Sequence, residues 1–240
     1  MVKLVLNILA YLLVVIVNFL ANALPLNGQT TGEISDKVQV LFTPAGYVFS
    51  IWGLIYLLLG LWVLRQFPKS RRNLPLYQST SVWFVLSCLL NSTWIFLWHY
   101  NYFTLSVVIM ISLLLTLIAL YGNAKRSDPS FLDIAPFSLY LGWISVATIA
   151  NISFTLEFYE WSGWGLSDIT WTIILLFTGT ILAIFFTTRE KDWLYPLVFV
   201  WAFIGIGVKN QDLEPAITTT AYGLAVTTLI LSLLIYFRKR

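Results

Sequence analysis

The sequence predicts an all-α integral membrane protein of eight transmembrane helices, and three observations predict it. Of 240 residues, 59% are hydrophobic and only 10% are charged, whereas a soluble domain usually carries about 25% charged residues to keep its surface hydrated. So few charges leave lipid as the solvent for most of the surface. Eight continuous apolar segments are long enough, at about 1.5 Å per residue, to cross a hydrocarbon core of about 30 Å. The basic residues then alternate sides. With the N-terminus inside, Lys3, Arg65, Lys69, Arg71, Arg72, Lys125, Arg126, Arg189, Lys191, Arg238, Lys239 and Arg240 lie on the inner side, and only Lys37 and Lys209 lie outside. Twelve against two satisfies the positive-inside rule and puts both termini in the cytoplasm, with a bacterial cytoplasmic membrane as the expected location.

The first segment, Leu4–Leu24, follows Lys3 and contains Ala21-Asn22-Ala23, so it imitates a signal peptide with a small-residue cleavage site. It is long for one and carries Asn7, Asn18 and Asn22, and it is expected to be retained. At 100° per residue Asn7, Tyr11, Asn18 and Asn22 fall within about 60° of one another, and amides facing lipid would be unsatisfied, so this stripe should face protein. Residues 25–43 are polar and rich in Gly, Thr and Asn, which predicts a mobile external loop or lid.

In the second segment, Gly46–Leu64, one face carries Phe49, Trp52, Tyr56 and Gly60. The third, Ser81–Trp98, aligns Ser87, Asn91, Trp94 and Trp98, and the fourth, Phe103–Gly122, is aliphatic and should face lipid. The fifth, Ile134–Phe154, aligns Tyr140, Trp143, Ala147 and Asn151. No charged residue falls inside any segment. The stretch Leu156–Leu166 mixes aromatics with acids and is read as an interfacial belt rather than a binding lip. Ile169–Thr187, Leu194–Val208 and Ile217–Phe237 complete the count, with Gly179/Ala183 and Ala221/Ala225 spaced for close helix approach.

Among eleven tryptophans, Trp62, Trp83, Trp161, Trp164 and Trp193 fit interfacial anchoring. Trp52, Trp94 and Trp143 lie deeper and share faces with Tyr or Asn, which suits a pocket for a flat, largely apolar ligand with a few polar edges. Each amide could equally be interhelical glue. One histidine, His99, puts a multi-histidine metal site out of reach, and one cysteine, Cys88, excludes an internal disulfide framework. No nucleophile–base pair is visible, so binding is favoured over catalysis, and no metal or required cofactor is expected. No basic stripe suits nucleic acid.

These residues resemble a known family. Pro44 ahead of the helix, then Trp52, Tyr56 and Gly60 at four-residue steps, is similar to the second-helix signature of the tryptophan-rich sensory protein/translocator protein (TspO/MBR) family. Asn91 with Trp94, and Tyr140 and Trp143 with Asn151 eight residues further on, match its third and fifth helices. The resemblance covers roughly residues 1–155. It implies a five-helix TspO/MBR-like bundle over 1–155 with a three-helix membrane extension over 156–240. It also implies a porphyrin- or haem-class ligand held by Trp52, Tyr56, Asn91, Trp94, Trp143 and Asn151. Phe49, Trp98, Tyr140 and Ala147 join the candidate site through the face argument. The family's first-loop motifs are absent, as are the Tyr and basic residue after the fifth helix that accompany sterol binding. The expected function is therefore a membrane binding protein, sensor or carrier for a flat hydrophobic ligand. A facilitative transporter of a small hydrophobic molecule and a light-dependent porphyrin-degrading activity are the alternatives. The expected partners are the lipid bilayer and the small ligand, with a homodimer left open.

Overall fold

A computed structural model describes residues 1–24 and 26–238. Pro25, where the expected lid begins, and Lys239 and Arg240, counted among the inner basic residues, lie outside the described residues. Eight apolar helices of 14 or more residues form, and no strand is found among the described residues. They are α1 (Val2–Ala23), α2 (Ile51–Leu64), α3 (Pro75–His99), α4 (Phe103–Lys125), α5 (Phe131–Phe158), α6 (Asp168–Glu190), α7 (Leu194–Asn210) and α8 (Pro215–Arg238). Seven are long and apolar enough to cross a membrane, α2 together with the 3-10 turn Gly46–Ser50 that leads into it; α7 is apolar but shorter, at 17 residues. The protein is an integral membrane protein.

Most of the helices outrun their apolar segments, and prolines or capping groups set several of the ends. Pro75 and Pro215 open α3 and α8, where a missing N–H costs nothing. Ser167 caps α6 by accepting a hydrogen bond from the Thr170 amide at 3.2 Å. Asp192 accepts from the amides of Leu194 (2.8 Å) and Tyr195 (3.2 Å) at the start of α7, where a carboxylate also complements the helix dipole. The apolar segment Ile134–Phe154 holds no charge, but the helix extends beyond it: α5 starts at Phe131 and takes in Asp133, which the sequence reading left outside the segment. Trp62 is also corrected: it is 0% exposed, a core residue packed on Tyr77, Phe84 and Phe137, not an interfacial anchor.

Packing divides the chain into two compact units, Met1–Ile34 with Ile51–Ile144, and Ser35–Ser50 with Ser145–Arg240. The division falls inside α5, whereas the sequence expectation put a boundary at residue 155. In the first unit α3 packs on α4 and α1, and α1 also packs on α2. α1 turns most of its polar stripe inward: Asn7 and Asn18 are buried and Tyr11 half-buried, while Leu9, Ile16 and Phe19 are exposed. That is the inversion lipid demands. Asn22, at the helix end, is exposed against expectation and donates to the Asn18 carbonyl. α4 buries Phe103, Met110, Leu113, Leu117 and Leu120 and exposes Leu105, Val108, Leu115 and Ile118, as its aliphatic sequence led one to expect.

In the second unit α8 packs on α7 and α6, α6 packs on α7, and the turn Gly46–Ser50 packs on α7. The small residues act as their spacing suggested. A Cβ at Gly179 would lie 3.0 Å from Phe203 and 3.3 Å from Phe199, and Ala183, Ala221 and Ala225 are buried.

Candidate functional site

Two aromatic groups and one amide relay bring together seven of the ten residues singled out in the sequence. All seven are in the first unit. Trp52 stacks on Tyr56, one turn along α2, with ring centroids 5.3 Å apart and 13° between planes. The Trp52 ring also meets Tyr140 (5.8 Å) and Trp143 (6.2 Å) of α5 edge-on. Aromatic quadrupoles favour both arrangements. Tyr140 and Trp143 are buried, and Trp52 and Tyr56 are half-buried.

The relay is built from amides that lipid would leave unsatisfied. Asn18 donates to the Val14 carbonyl (2.9 Å) and to Asn91 Oδ1 (2.8 Å), and Asn91 Nδ2 donates to the Tyr140 hydroxyl (2.9 Å). Helices α1, α3 and α5 are thereby joined, and Tyr140 at the end of the relay is part of the Trp52 ring group. The Tyr56 hydroxyl lies by Asn91, buried and without hydrogen-bond geometry to it. Tyr11 donates to the Tyr56 carbonyl at 3.1 Å. It passes so close over Gly60 that a Cβ there would lie 2.5 Å from its hydroxyl oxygen. Gly60 therefore admits Tyr11.

Trp94 and Trp98 form the second group, stacked at 5.5 Å, with Trp98 edge-on to Phe103 at 5.3 Å. Trp98 Nε1 also donates to the Thr31 carbonyl at 3.3 Å, and Asn27 donates to the His99 carbonyl at 3.0 Å. This end of α3 thus ties down residues 26–34. His99 is buried, its Nδ1 2.8 Å from the Ile95 carbonyl. The first loop is correspondingly not a free lid. A capping box of Thr30 and Glu33 starts the short helix Thr31–Ser35, and hydrogen bonds from the Thr30 amide and hydroxyl hold the Glu33 carboxyl below its ordinary pKa. Residues 35–50 are held within the second unit, where Asn210 donates to Leu41 O, Lys209 to Asp36 and the Ala45 amide to Gly205 O.

The other three candidates, Phe49, Ala147 and Asn151, belong to the second unit. Asn151 is buried and Ala147 half-buried on α5. Neither of the two cavities described is lined by any of the ten candidates. The larger, about 500 Å³, lies in the second unit against Trp161, Trp164 and Trp171.

Sequence reasoning missed the network at the Arg65 end of the first unit. Asp133 accepts from Arg65 Nε (2.9 Å), Arg71 Nη2 (3.0 Å), the Tyr77 hydroxyl (2.7 Å) and the Ser130 hydroxyl (2.6 Å). Nearby, Asn7 donates to Gln66 Oε1 and accepts from Ser81, both at 2.8 Å. No three His, Cys, Asp or Glu side chains converge to hold a metal among the described residues.

Comparison with protein families finds one model, described as TSPO-like protein, matching residues 4–234. Comparison with curated proteins and with solved structures finds no match. The family match runs well past residue 155 and takes in α6, α7 and most of α8, so these helices belong to the family pattern. A match over nearly the whole length, on a chain of apolar helices, makes this a member of the TSPO-like protein family, whose general business is ligand binding or transport in membranes.

Proposed function

We propose that the protein binds a flat, largely apolar ligand of the porphyrin class beside Trp52, Tyr56, Asn91, Tyr140 and Trp143, acting as its membrane receptor or carrier. The observation that carries this reading is the Asn18–Asn91–Tyr140 relay ending at a ring that meets the stacked Trp52–Tyr56 pair edge-on at Trp52. Interhelical glue needs only amides paired with one another. Here the pairing leaves the buried hydroxyl of half-buried Tyr56 without a partner in hydrogen-bond geometry, next to a half-buried indole. A planar ligand replacing Tyr56 on the Trp52 face would keep the stacking and could accept from that hydroxyl at a polar edge. The rings touch one another without ligand, so entry requires Trp52 or Tyr56 to change rotamer.

The test is titration of the detergent-solubilised protein with protoporphyrin IX, read as quenching of tryptophan fluorescence. Saturable quenching is expected. Trp52→Phe and Tyr56→Phe should each weaken it about tenfold, ~1.4 kcal/mol, with little change in thermal stability, because the Tyr56 hydroxyl makes no hydrogen bond to lose. Wild-type protein without saturable quenching would overturn the ligand class.

A further inference from the structure

The cavity of about 500 Å³ in the second unit is independent of the site proposed above, and none of that site's residues line it. Its volume is that of a small-molecule pocket. Leu41, Phe42, Ile149, Ile152, Leu156 and Leu175 supply apolar walls. Three indoles form one side as a triangle: Trp161 to Trp164 at 5.3 Å, Trp161 to Trp171 at 5.4 Å and Trp164 to Trp171 at 6.0 Å.

The backbone that presents this triangle is unusual. Gly163, Trp164 and Gly165 have φ of 63°, 53° and 81°, the left-handed region that a residue with a β-carbon enters only at a cost. Trp171 fastens the turn through an Nε1–H bond to the Gly163 carbonyl at 2.8 Å. Trp164 is nevertheless 80% exposed, so burying its own ring does not repay that conformation. An interfacial anchor needs no such turn.

The charges on the lining are one-sided. Glu157 and Asp168 both border the cavity, no Lys, Arg or His lines it, and neither acid enters a salt bridge among the described residues. Two carboxylates beside electron-rich indole faces favour a cation, since ring quadrupoles and carboxylates attract positive charge together. We propose that this cavity is a second binding site, specific for flat aromatic cations, with the Trp161–Trp164–Trp171 triangle stacking the ring and Glu157 and Asp168 selecting its charge. An anionic porphyrin is repelled by the same carboxylates, so the two sites separate by ligand charge.

The test uses the full chain in detergent with two probes that share one ring system: ethidium, a cation, and neutral phenanthridine. Ethidium anisotropy should rise saturably, and phenanthridine should compete only weakly. Glu157→Gln with Asp168→Asn should weaken ethidium at least tenfold and leave phenanthridine unchanged. Trp164→Gly removes the ring while relieving the left-handed strain, so it should unfold no earlier than wild type yet lose ethidium binding at least tenfold. Protoporphyrin quenching should be unaffected in both variants, which keeps failure here distinct from failure of the porphyrin reading. Ethidium binding that does not saturate, as for simple partition into detergent, would overturn the proposal. So would unchanged binding in Trp164→Gly or in the double carboxamide.

Discussion

A carboxylate with 4% of its side chain exposed must be compensated, and Asp133 is held by two guanidiniums and two hydroxyls. Arg65 grips it with Nε and Nη2 at 2.9 and 3.2 Å, a two-pronged geometry that a lysine could not reproduce. Breaking a fully buried ion pair costs about 3–5 kcal/mol, but the Arg65 and Arg71 side chains are 23% and 35% exposed and keep access to water. Asp133→Asn should therefore lower stability by less, about 1–3 kcal/mol, in thermal unfolding. Tyr77→Phe, which removes one hydroxyl donor, should cost about 1 kcal/mol or slightly more. A D133N protein as stable as wild type would show that the network is ornamental. Little of this was legible in the sequence: Asp133 lies just before the apolar segment that starts at Ile134, and Arg65, Arg71 and Tyr77 are 56 to 68 residues away, only Ser130 being local. Trp52, Tyr56, Asn91 and Tyr140 were legible because each sits mid-segment, where a polar or flat side chain stands out against aliphatic neighbours.

At the scale of elements, the eight apolar helices could be read directly, since lipid forces every backbone group into a continuous hydrogen-bonded run. Their ends and loops could not, because long-range contacts fix them. The turn ahead of α2 shows how. Residues 44–50 lie on α7, where the Ala45 amide bonds to Gly205 O at 3.0 Å and Trp201 Nε1 to Val48 O at 3.0 Å. A Cβ on Gly205 would run into Val48 and come within 3.1 Å of Pro44. Gly205→Ala must push the turn off α7, and overpacking of this kind costs about 1–3 kcal/mol. Gly53→Ala is the matched control, for nothing lies within 4 Å of its Cβ position, and it should unfold at or slightly above the wild-type temperature. Equal behaviour of the two variants in thermal unfolding would refute the docking role of Gly205.

The arrangement of the whole molecule across the membrane turns on α7. With seven helices of ordinary spanning length, the termini share a side only if this eighth helix also crosses. Its 17 residues reach about 25 Å, at the lower limit for a span. Two observations favour crossing. α7 packs against both α6 and α8, and it is joined to them by residues 191–193 and 211–214, connections short enough to make antiparallel neighbours. The charge distribution agrees. If α7 did not cross, Lys209 would move to the basic side and Arg238, Lys239 and Arg240 would leave it, reducing twelve against two to ten against four. Trp193, Tyr195 and Asp192 at one end and Lys209 at the other suit interfacial positions that let a short helix fit by local thinning of the bilayer. A reporter inserted at Asp212 should therefore lie on the opposite side from one fused to the C-terminus and from one fused to Met1. The reporters at the two termini should agree with each other. If Asp212 and the C-terminus flank a single crossing while the two termini disagree, α7 lies within the bilayer without spanning it. The protein would then have seven spans.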